Sequence, residues 1–519
     1  MNGAVSLLGA LARNDVTTCF MNPGTSEMHF VAALDDVHEV RGILCLFEGV
    51  ASGAADGFAR VTGRPAATLF HLGPGLGNAF ANLHNARRAH VPILNIVGDH
   101  ATYHARHDAP LRTDIAAIAS ALDGWYRSSA RPDDVASDAA AAIAAAYGPP
   151  SRVATLVLPA DVSWSEVTDS SAPLARRGIA PVVADHVVDE VAAMLRSHSA
   201  VLLLGGTALR ARGLAAAGRI AATSGCKVLH ETFPTVLDRG TGVFAPERLN
   251  YLAEFAAAQL EGAEVLVLAG AVEPVSFFAY PSISSRLVPE GCDVIELADL
   301  VVDAPDALEA LADALDAPSR PGPFETVERP SRPTGALDTR SLAAAIGSLL
   351  PEGCVVVDES NTSGVGLLGA TVSAPPHEWL TNTGGAIGFG LPAAVGAAVG
   401  AGGRRVVCIE SDGSMSYTPQ ALWTMAREGL DVTVVCCSND SYAILNYELS
   451  RVGATASGER AKAMLSLTGP TLDLAATAAS YGVPAETVTT ADELVVAFDK
   501  SLATPGPSFI NARLDSIFR

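Results

Sequence analysis

Residues 404–445 read RRVVCIESDGSMSYTPQALWTMAREGLDVTVVCCSNDSYAIL. The apolar run from Val406 to Ile409 predicts a buried strand that ends at Ser411-Asp412-Gly413-Ser414. Thr418 before Pro419 suits an N-cap followed by a first helical residue, so a helix is expected to begin near Pro419. A second apolar run, Val432 to Cys437, predicts another strand that stops at Asn439. Asp412 and Asn439 are 27 residues apart, room for one crossover helix and its loops. Both residues then fall at the carboxyl ends of neighbouring parallel strands, the edge at which open α/β sheets bind ligands.

The same alternation runs outward in both directions. RGILCLF is followed by EGVASGAADGFARVTG, RPAATLFHL by NAFANLHNARRA, and VPILNIVGD comes next. Strand-like runs that alternate with Ala-rich helical stretches predict an α/β fold built on parallel sheets. Two composition shifts break it: Ser165 to Val182, rich in Ser, Pro and Arg, and Ala317 to Gly335, rich in Pro. Three α/β domains are expected, at 1–165, 182–317 and 335–519. The central one opens with SAVLLLGGTALRARGLAAAGRIAATSG, a strand, a Gly-Gly turn and a helix. That is a Rossmann-like start, but without a full GxGxxG it is weak as a nucleotide motif.

Composition narrows the function. A chain of 519 residues exceeds one ordinary core, and 49% hydrophobic against 17% charged residues supplies ample buried sheet. The 56 acidic residues outnumber 34 basic ones for a net charge of -22. Such a surface repels phosphate backbones and anionic lipid, so neither nucleic acid nor membrane is an expected partner. The eight cysteines form no CxxC pair and sit mostly in apolar runs, as buried reduced thiols do. No apolar run approaches a membrane span and the N-terminus lacks a signal-peptide pattern, so a cytoplasmic location is expected.

The chemistry centres on Asp412 and Asn439. A carboxylate and an amide oxygen are hard ligands suited to Mg²⁺, whose octahedral shell is usually completed by phosphate and water. Gly413 lets backbone approach a diphosphate. The same residues also suit a plain βα turn and a strand-ending cap, and the segment alone leaves both readings open.

Residues 411–441 resemble the metal and diphosphate motif of thiamine-diphosphate enzymes, which begins Gly-Asp-Gly and ends in Asn; Ser411 stands where that motif has its first glycine. LCLFEGVASGAADGFARVTG resembles the family's strand ending in a glutamate that meets the cofactor's aminopyrimidine, which identifies Glu48. TGGAIGFGLPAAVGAA resembles the segment whose apolar residue props the cofactor into a bent shape, which identifies Ile387, with Gly385 beside it. FMNPGTSEMHF resembles the pyrimidine-pocket turn, at Asn22, Pro23, Gly24 and Thr25. The resemblance implies metal ligation by Asp412, Asn439 and Ser441, and cofactor contacts from Gly413, Ser414 and Tyr442. It implies pyrimidine-binding (1–165), central and diphosphate-binding (335–519) domains. It also implies a homo-oligomer, a dimer or tetramer, in which Glu48 of one chain faces Asp412 of another.

Within the family the similarity is greatest to benzoylformate decarboxylase and acetolactate-synthase-like proteins. His71 falls where the decarboxylase has a catalytic histidine, and Asn361 and Thr362 fall in a stretch near its diphosphate. Its second catalytic histidine has no counterpart, since Phe278 stands at about that place. The flavin (FAD) of acetolactate synthases is disfavoured, because neither the His-Gly nor the Arg-rich stretch that binds it occurs between Ser199 and Asp316. The implied activity is a 2-oxo-acid decarboxylase or carboligase with thiamine diphosphate and Mg²⁺. Acetolactate synthase proper and a catalytically silent cofactor-binding subunit are the alternatives.

Overall fold

A computed structural model describes residues 1–122, 124–168, 171–281, 283–319, 327–454 and 458–515. Residues 169–170 and 320–326, in the two expected linkers, lie outside the described residues. Three α/β sheets organise the chain. The first has six parallel strands in the order Arg41–Leu44, Thr18–Asn22, Ala66–Phe70, Ile93–Asp99, Val153–Pro159, Trp125–Ser128. The second has five, ordered Glu247–Arg248, Lys227–His230, Ala200–Leu204, Val265–Ala269, Asp293–Ala298, also all parallel. The inner strands Ala66–Phe70, Val153–Pro159, Ala200–Leu204 and Val265–Ala269 are buried along their length because helices cover both faces of a parallel sheet, while edge strands such as Glu247–Arg248 are exposed.

The third sheet carries the quoted stretch. Its order is Ala485–Val488, Ser508–Arg513, Val432–Ser438, Val406–Ser411, Val355–Asp358, His377–Thr381, Leu237–Arg239. All pairs are parallel except the last, in which Leu237–Arg239 lies antiparallel against His377–Thr381. That edge strand belongs to the stretch expected as the central unit, so the chain returns from one sheet to close another. Local periodicity carries no trace of so short a strand. The expected pairing of Val406–Ser411 with Val432–Ser438 is present, with Ser411 opposite Cys437.

Between those strands the structure departs from expectation. Asp412–Met415 forms one short helical turn, and the main helix starts only at Ala421. Thr418 is no N-cap: its hydroxyl donates instead to Gly388 O at 3.0 Å, in a neighbouring loop. A tertiary partner for the side chain outcompetes the local cap. Among the described residues no helix is long and apolar enough to cross a membrane.

The first and third sheets are locked together by the helices Glu48–Thr62 and Gly390–Gly400. A Cβ on Gly57 would stand 2.0 Å from Ala393 O, and one on Gly396 1.7 Å from Ala54 O, so the close crossing requires glycine at both. Arg60 ties the joint. Its guanidinium makes a bidentate pair with buried Asp56 at 2.7 and 2.8 Å and donates to Thr381 O at 2.7 Å and Thr235 O at 3.2 Å. Its charged plane also lies 4.7 Å from the Phe389 ring centre. Arg60→Ala strands the Asp56 carboxylate in the core, so we expect a loss of about 3–5 kcal/mol in urea denaturation. Arg60→Lys, which lacks the planar fork, should recover little of it. A parental midpoint for the alanine variant would refute this role.

Candidate active site

At the carboxyl edge of the first sheet, three strand ends converge. Asn22 closes its strand, Pro23 and Gly24 turn, and Thr25–Glu27 form a short 3-10 helix. Glu48 opens the helix after the neighbouring strand and is 9% exposed. Asn78 Nδ2 donates to Glu48 Oε2 at 3.0 Å, and a Cβ on Gly75 would come within 3.2 Å of Oε1. Glycine at 75 therefore leaves the second carboxylate oxygen room. A carboxylate at a helix N-terminus is favoured by the dipole, which accounts for its toleration there but not for its burial.

His71 follows the next strand and faces the Asn22–Glu27 turn. Its Nδ1 donates to Glu27 Oε2 at 2.8 Å, and Ser26 Oγ lies 3.2 Å from the same nitrogen. Glu27, 3% exposed, also accepts from Gly24 N at 2.7 Å and from Ser26 Oγ at 2.9 Å. Gly24 packs on the imidazole so closely that a Cβ would sit 2.3 Å from the ring. With Nδ1 engaged by the carboxylate, the tautomer is set and Nε2 is the nitrogen left for chemistry. Sequence reading missed Glu27. The available signal was its place three residues after Gly24, where a glutamate reaches back to a cap N–H.

A second cluster occupies the carboxyl edge of the third sheet. Asp412 Oδ2 accepts from Asn439 N at 2.9 Å and Asp440 N at 2.7 Å, while Oδ1 accepts from Gly413 N at 2.8 Å. Burial raises the Asp412 carboxyl above the usual range, and those backbone donors oppose the rise. Asn439 Oδ1 accepts from Ser441 N at 3.0 Å. Ser441 Oγ is taken up locally, donating to Leu465 O at 3.2 Å and accepting from Asn446 at 3.0 Å. Asn361 Nδ2 donates to Ser411 Oγ at 2.7 Å and Ser414 Oγ at 3.0 Å. Ser411 has an extended backbone, φ -113° and ψ 152°, so a side chain there is tolerated where the motif has glycine. Gly413 is needed: a Cβ would lie 2.6 Å from the Tyr442 ring. Thr362 stands in the short helix Asn361–Gly364 at the end of the adjoining strand.

Ile387 is half-buried in the turn between His377–Thr381 and Gly390–Gly400, with φ +74° at Gly385 and +91° at Gly388. Phe277 lies over that turn, 3.0 Å from an ideal Cβ on Gly385. Phe278 stacks on Phe277 edge-to-face at 5.1 Å, and Phe233 and Tyr251 complete the aromatic group. Among the described residues no hydrogen bond joins the Glu48–His71 cluster to the Asp412–Asn439 cluster. In the central sheet, Gly206 N of the Gly-Gly turn donates to Glu231 at 3.0 Å, a carboxyl that burial pushes up to about 7. The N–H that a nucleotide phosphate would take is thus occupied by the chain's own side chain.

Residues 1–118 match the model of the thiamine pyrophosphate enzyme N-terminal TPP binding domain, and 364–512 that of the C-terminal TPP binding domain. The IlvX protein of Mycobacterium tuberculosis, which bears an acetolactate synthase large-subunit name, is 55% identical over 100% of both chains. Benzoylformate decarboxylase of Pseudomonas aeruginosa is 30% identical over 98% of each. The chain belongs to the thiamine-pyrophosphate enzyme family. It is a thiamine-diphosphate-dependent enzyme of the group that holds acetolactate synthase and benzoylformate decarboxylase, acting on 2-oxo acids. A solved structure, the 4-hydroxybenzoylformate decarboxylase of Rhodococcus jostii, shares the fold with a TM-score of 0.88 over 100% of both chains at 24% identity.

Two buried acids of this thiamine-diphosphate enzyme escaped sequence reading altogether. Glu359 and Glu410 converge at the start of the helix Gly390–Gly400, where a Cβ on Gly390 would be 2.3 Å from Glu410 Oε2 and 3.2 Å from Glu359 Oε2. Burial pushes the Glu359 carboxyl up to about 7, and burial together with the charge of Glu359 raises Glu410 well above the ordinary value. In sequence, each reads as an ordinary acid at a strand end.

Proposed function

We propose that this chain is a Mg²⁺-dependent 2-oxo-acid decarboxylase or carboligase that works as a homo-oligomer, with each active site shared between two chains. The observation that carries the reading is the pair of half-sites at two sheet edges, Glu48 with the His71–Glu27 pair on one and Asp412 with Asn439 on the other. Each half lacks what the other supplies. A pyrimidine-side cluster without a diphosphate cradle, and a cradle without a proton-sharing acid, suit a two-fold arrangement in which each half faces its complement on the other copy.

The donor set fits the cofactor and its metal. Asp412 is a desolvated carboxylate without an ion-pair partner among the described residues, which a dication would hold charged. With the Asn439 amide and a Ser441 oxygen it offers only hard ligands, as Mg²⁺ requires. When bound, thiamine diphosphate supplies the carbanion chemistry through which a 2-oxo acid loses CO₂. Glu48 would share its proton with the pyrimidine ring. Ile387 would hold the cofactor bent, and Asn361, Ser414 and Tyr442 would border the diphosphate. His71, oriented by Glu27, would move protons at the reacting carbon.

The aromatic group of Phe277 and Phe278 beside Gly385 supports a substrate with an apolar side chain. The test is CO₂ release from a panel of 2-oxo acids, aromatic and aliphatic, with thiamine diphosphate and Mg²⁺. Turnover of none would sink the proposal. Acetolactate synthesis has one specific observation in its favour, the 55% identity with IlvX, and predicts acetolactate from pyruvate in the same assay. His71→Ala should lower kcat about 100-fold, the low end for loss of a general acid-base, without weakening cofactor binding. An undiminished kcat would remove His71 from the chemistry.

A further inference from the structure

The turn that carries Ile387 does not hold itself. Among the described residues, the hydrogen bonds of the backbone groups flanking Ile387 go to side chains, and of these side chains only Asn382 lies in the turn itself. Ala386 N donates to Asn85 Oδ1 at 3.1 Å, and Ala386 O accepts from Asn85 Nδ2 at 2.8 Å and Asn382 Nδ2 at 2.9 Å. Gly388 O accepts from Asn82 Nδ2 at 3.2 Å and Thr418 Oγ1 at 3.0 Å. After Ile387, the N–H groups of Gly388 and Gly390 go to one residue. Glu359 Oε1 accepts from Gly388 N at 3.1 Å and Asn382 Nδ2 at 3.0 Å, and Oε2 accepts from Gly390 N at 2.6 Å. Glu410 Oε2 takes the next donor, Leu391 N, at 3.1 Å.

Neither carboxyl has an ion-pair partner among the described residues, and both lie in the core, at 2% and 0% exposure. Burying an unpaired acid is costly. An Ala or Leu at either place would relieve that cost but leave the amides of 388, 390 and 391 unsatisfied in the core. The conformation they hold is one with two positive-φ glycines, Gly385 and Gly388, which the free chain adopts only as one among many.

We propose that Glu359 is a positioning residue: by gripping the amides of Gly388 and Gly390 and the side chain of Asn382 together, it sets where Ile387 stands, with Glu410 anchoring the helix behind it. This rests on the reading of Ile387 as the cofactor's prop. Glu359 acts through that turn, without touching substrate.

The test compares Glu359→Ala and Glu359→Gln with the parent. In hydrogen exchange on the cofactor-free proteins, the alanine variant should exchange amides 385–391 at least about 10-fold faster, as expected for a local opening released from its restraint. Thiamine diphosphate with Mg²⁺, titrated by tryptophan fluorescence, should bind more weakly. The kcat should fall about 100-fold with KM for the 2-oxo acid little changed, the effect of a reacting group misplaced by about 1 Å. Glu359→Gln keeps the shape and one acceptor oxygen and should recover part of each effect. It also serves if the alanine variant does not fold. Parental exchange at 385–391 in a folded variant overturns the grip. Faster exchange and lower stability with parental kcat and cofactor affinity overturn the positioning role. A parent that binds no thiamine diphosphate would instead strike the underlying cofactor reading, while the exchange comparison still decides the grip.

Discussion

Glu48→Gln should lower turnover on every accepted 2-oxo acid by about 10²–10⁴-fold while leaving thiamine diphosphate affinity essentially parental. The side chains are isosteric, and the glutamine oxygen can still accept from Asn78 Nδ2, which now stands 3.0 Å from Glu48 Oε2. The helix Glu48–Thr62 begins at this residue but is anchored further along by Gly57 and the Asp56–Arg60 pair, so the backbone should not shift. What is lost is an ionisable oxygen able to carry a proton. A neutral amide cannot share one with a ring nitrogen, so activation fails although the pocket keeps its shape. Steady-state kinetics and calorimetric titration with the cofactor separate the two effects. A kcat equal to the parent's would refute the role of Glu48, and lost binding with unaltered kcat at saturation would make it a mere contact.

Asp412→Ala should abolish Mg²⁺-dependent cofactor binding, by more than the roughly 10–100-fold that loss of a residue behind a metal ligand costs. Two effects add. The proposed metal would lose the carboxylate assigned to it, and the backbone N–H groups of Asn439 and Asp440 lose their acceptor, so the loop bearing the second proposed ligand is freed. Asp412→Asn separates them. Its amide oxygen can keep one backbone donor in place while the charge is gone, so the loop should survive better than the metal site. The measurement is thiamine diphosphate titration with Mg²⁺ and with chelator: the parent should lose affinity on chelation, and the alanine variant should bind weakly in both. A variant whose binding still responds to Mg²⁺ as the parent's does would refute the assignment.

The two residues of this second prediction were also the most legible in the sequence. Asp412 and Asn439 each end an apolar run, and a crossover of 27 residues in a parallel sheet leaves neighbouring strands as the natural solution. Glu48 and the Asn22–Thr25 turn were identified by resemblance to family motifs, and in the structure each follows a strand and lands at the same edge. Thr418 shows where such reading stops. Its hydroxyl could satisfy either the local helix end or a distant carbonyl, and Gly388 O, 30 residues away in the chain, is what it meets.

The α/β class and the pairing of the strands that end at Asp412 and Asn439 were determined by the sequence alone, because both follow from hydrophobic periodicity and connection length, which are local. The pairing of His71 with Glu27, the convergence of Glu359 and Glu410 on one helix start, the grip of Arg60 across two sheets and the antiparallel strand Leu237–Arg239 were decided only by tertiary structure. Each joins residues far apart in the chain through side-chain geometry or the closing of a sheet edge. Buried acids in particular have no local signature, since an isolated glutamate reads as a solvated one until the packing around it withdraws the water.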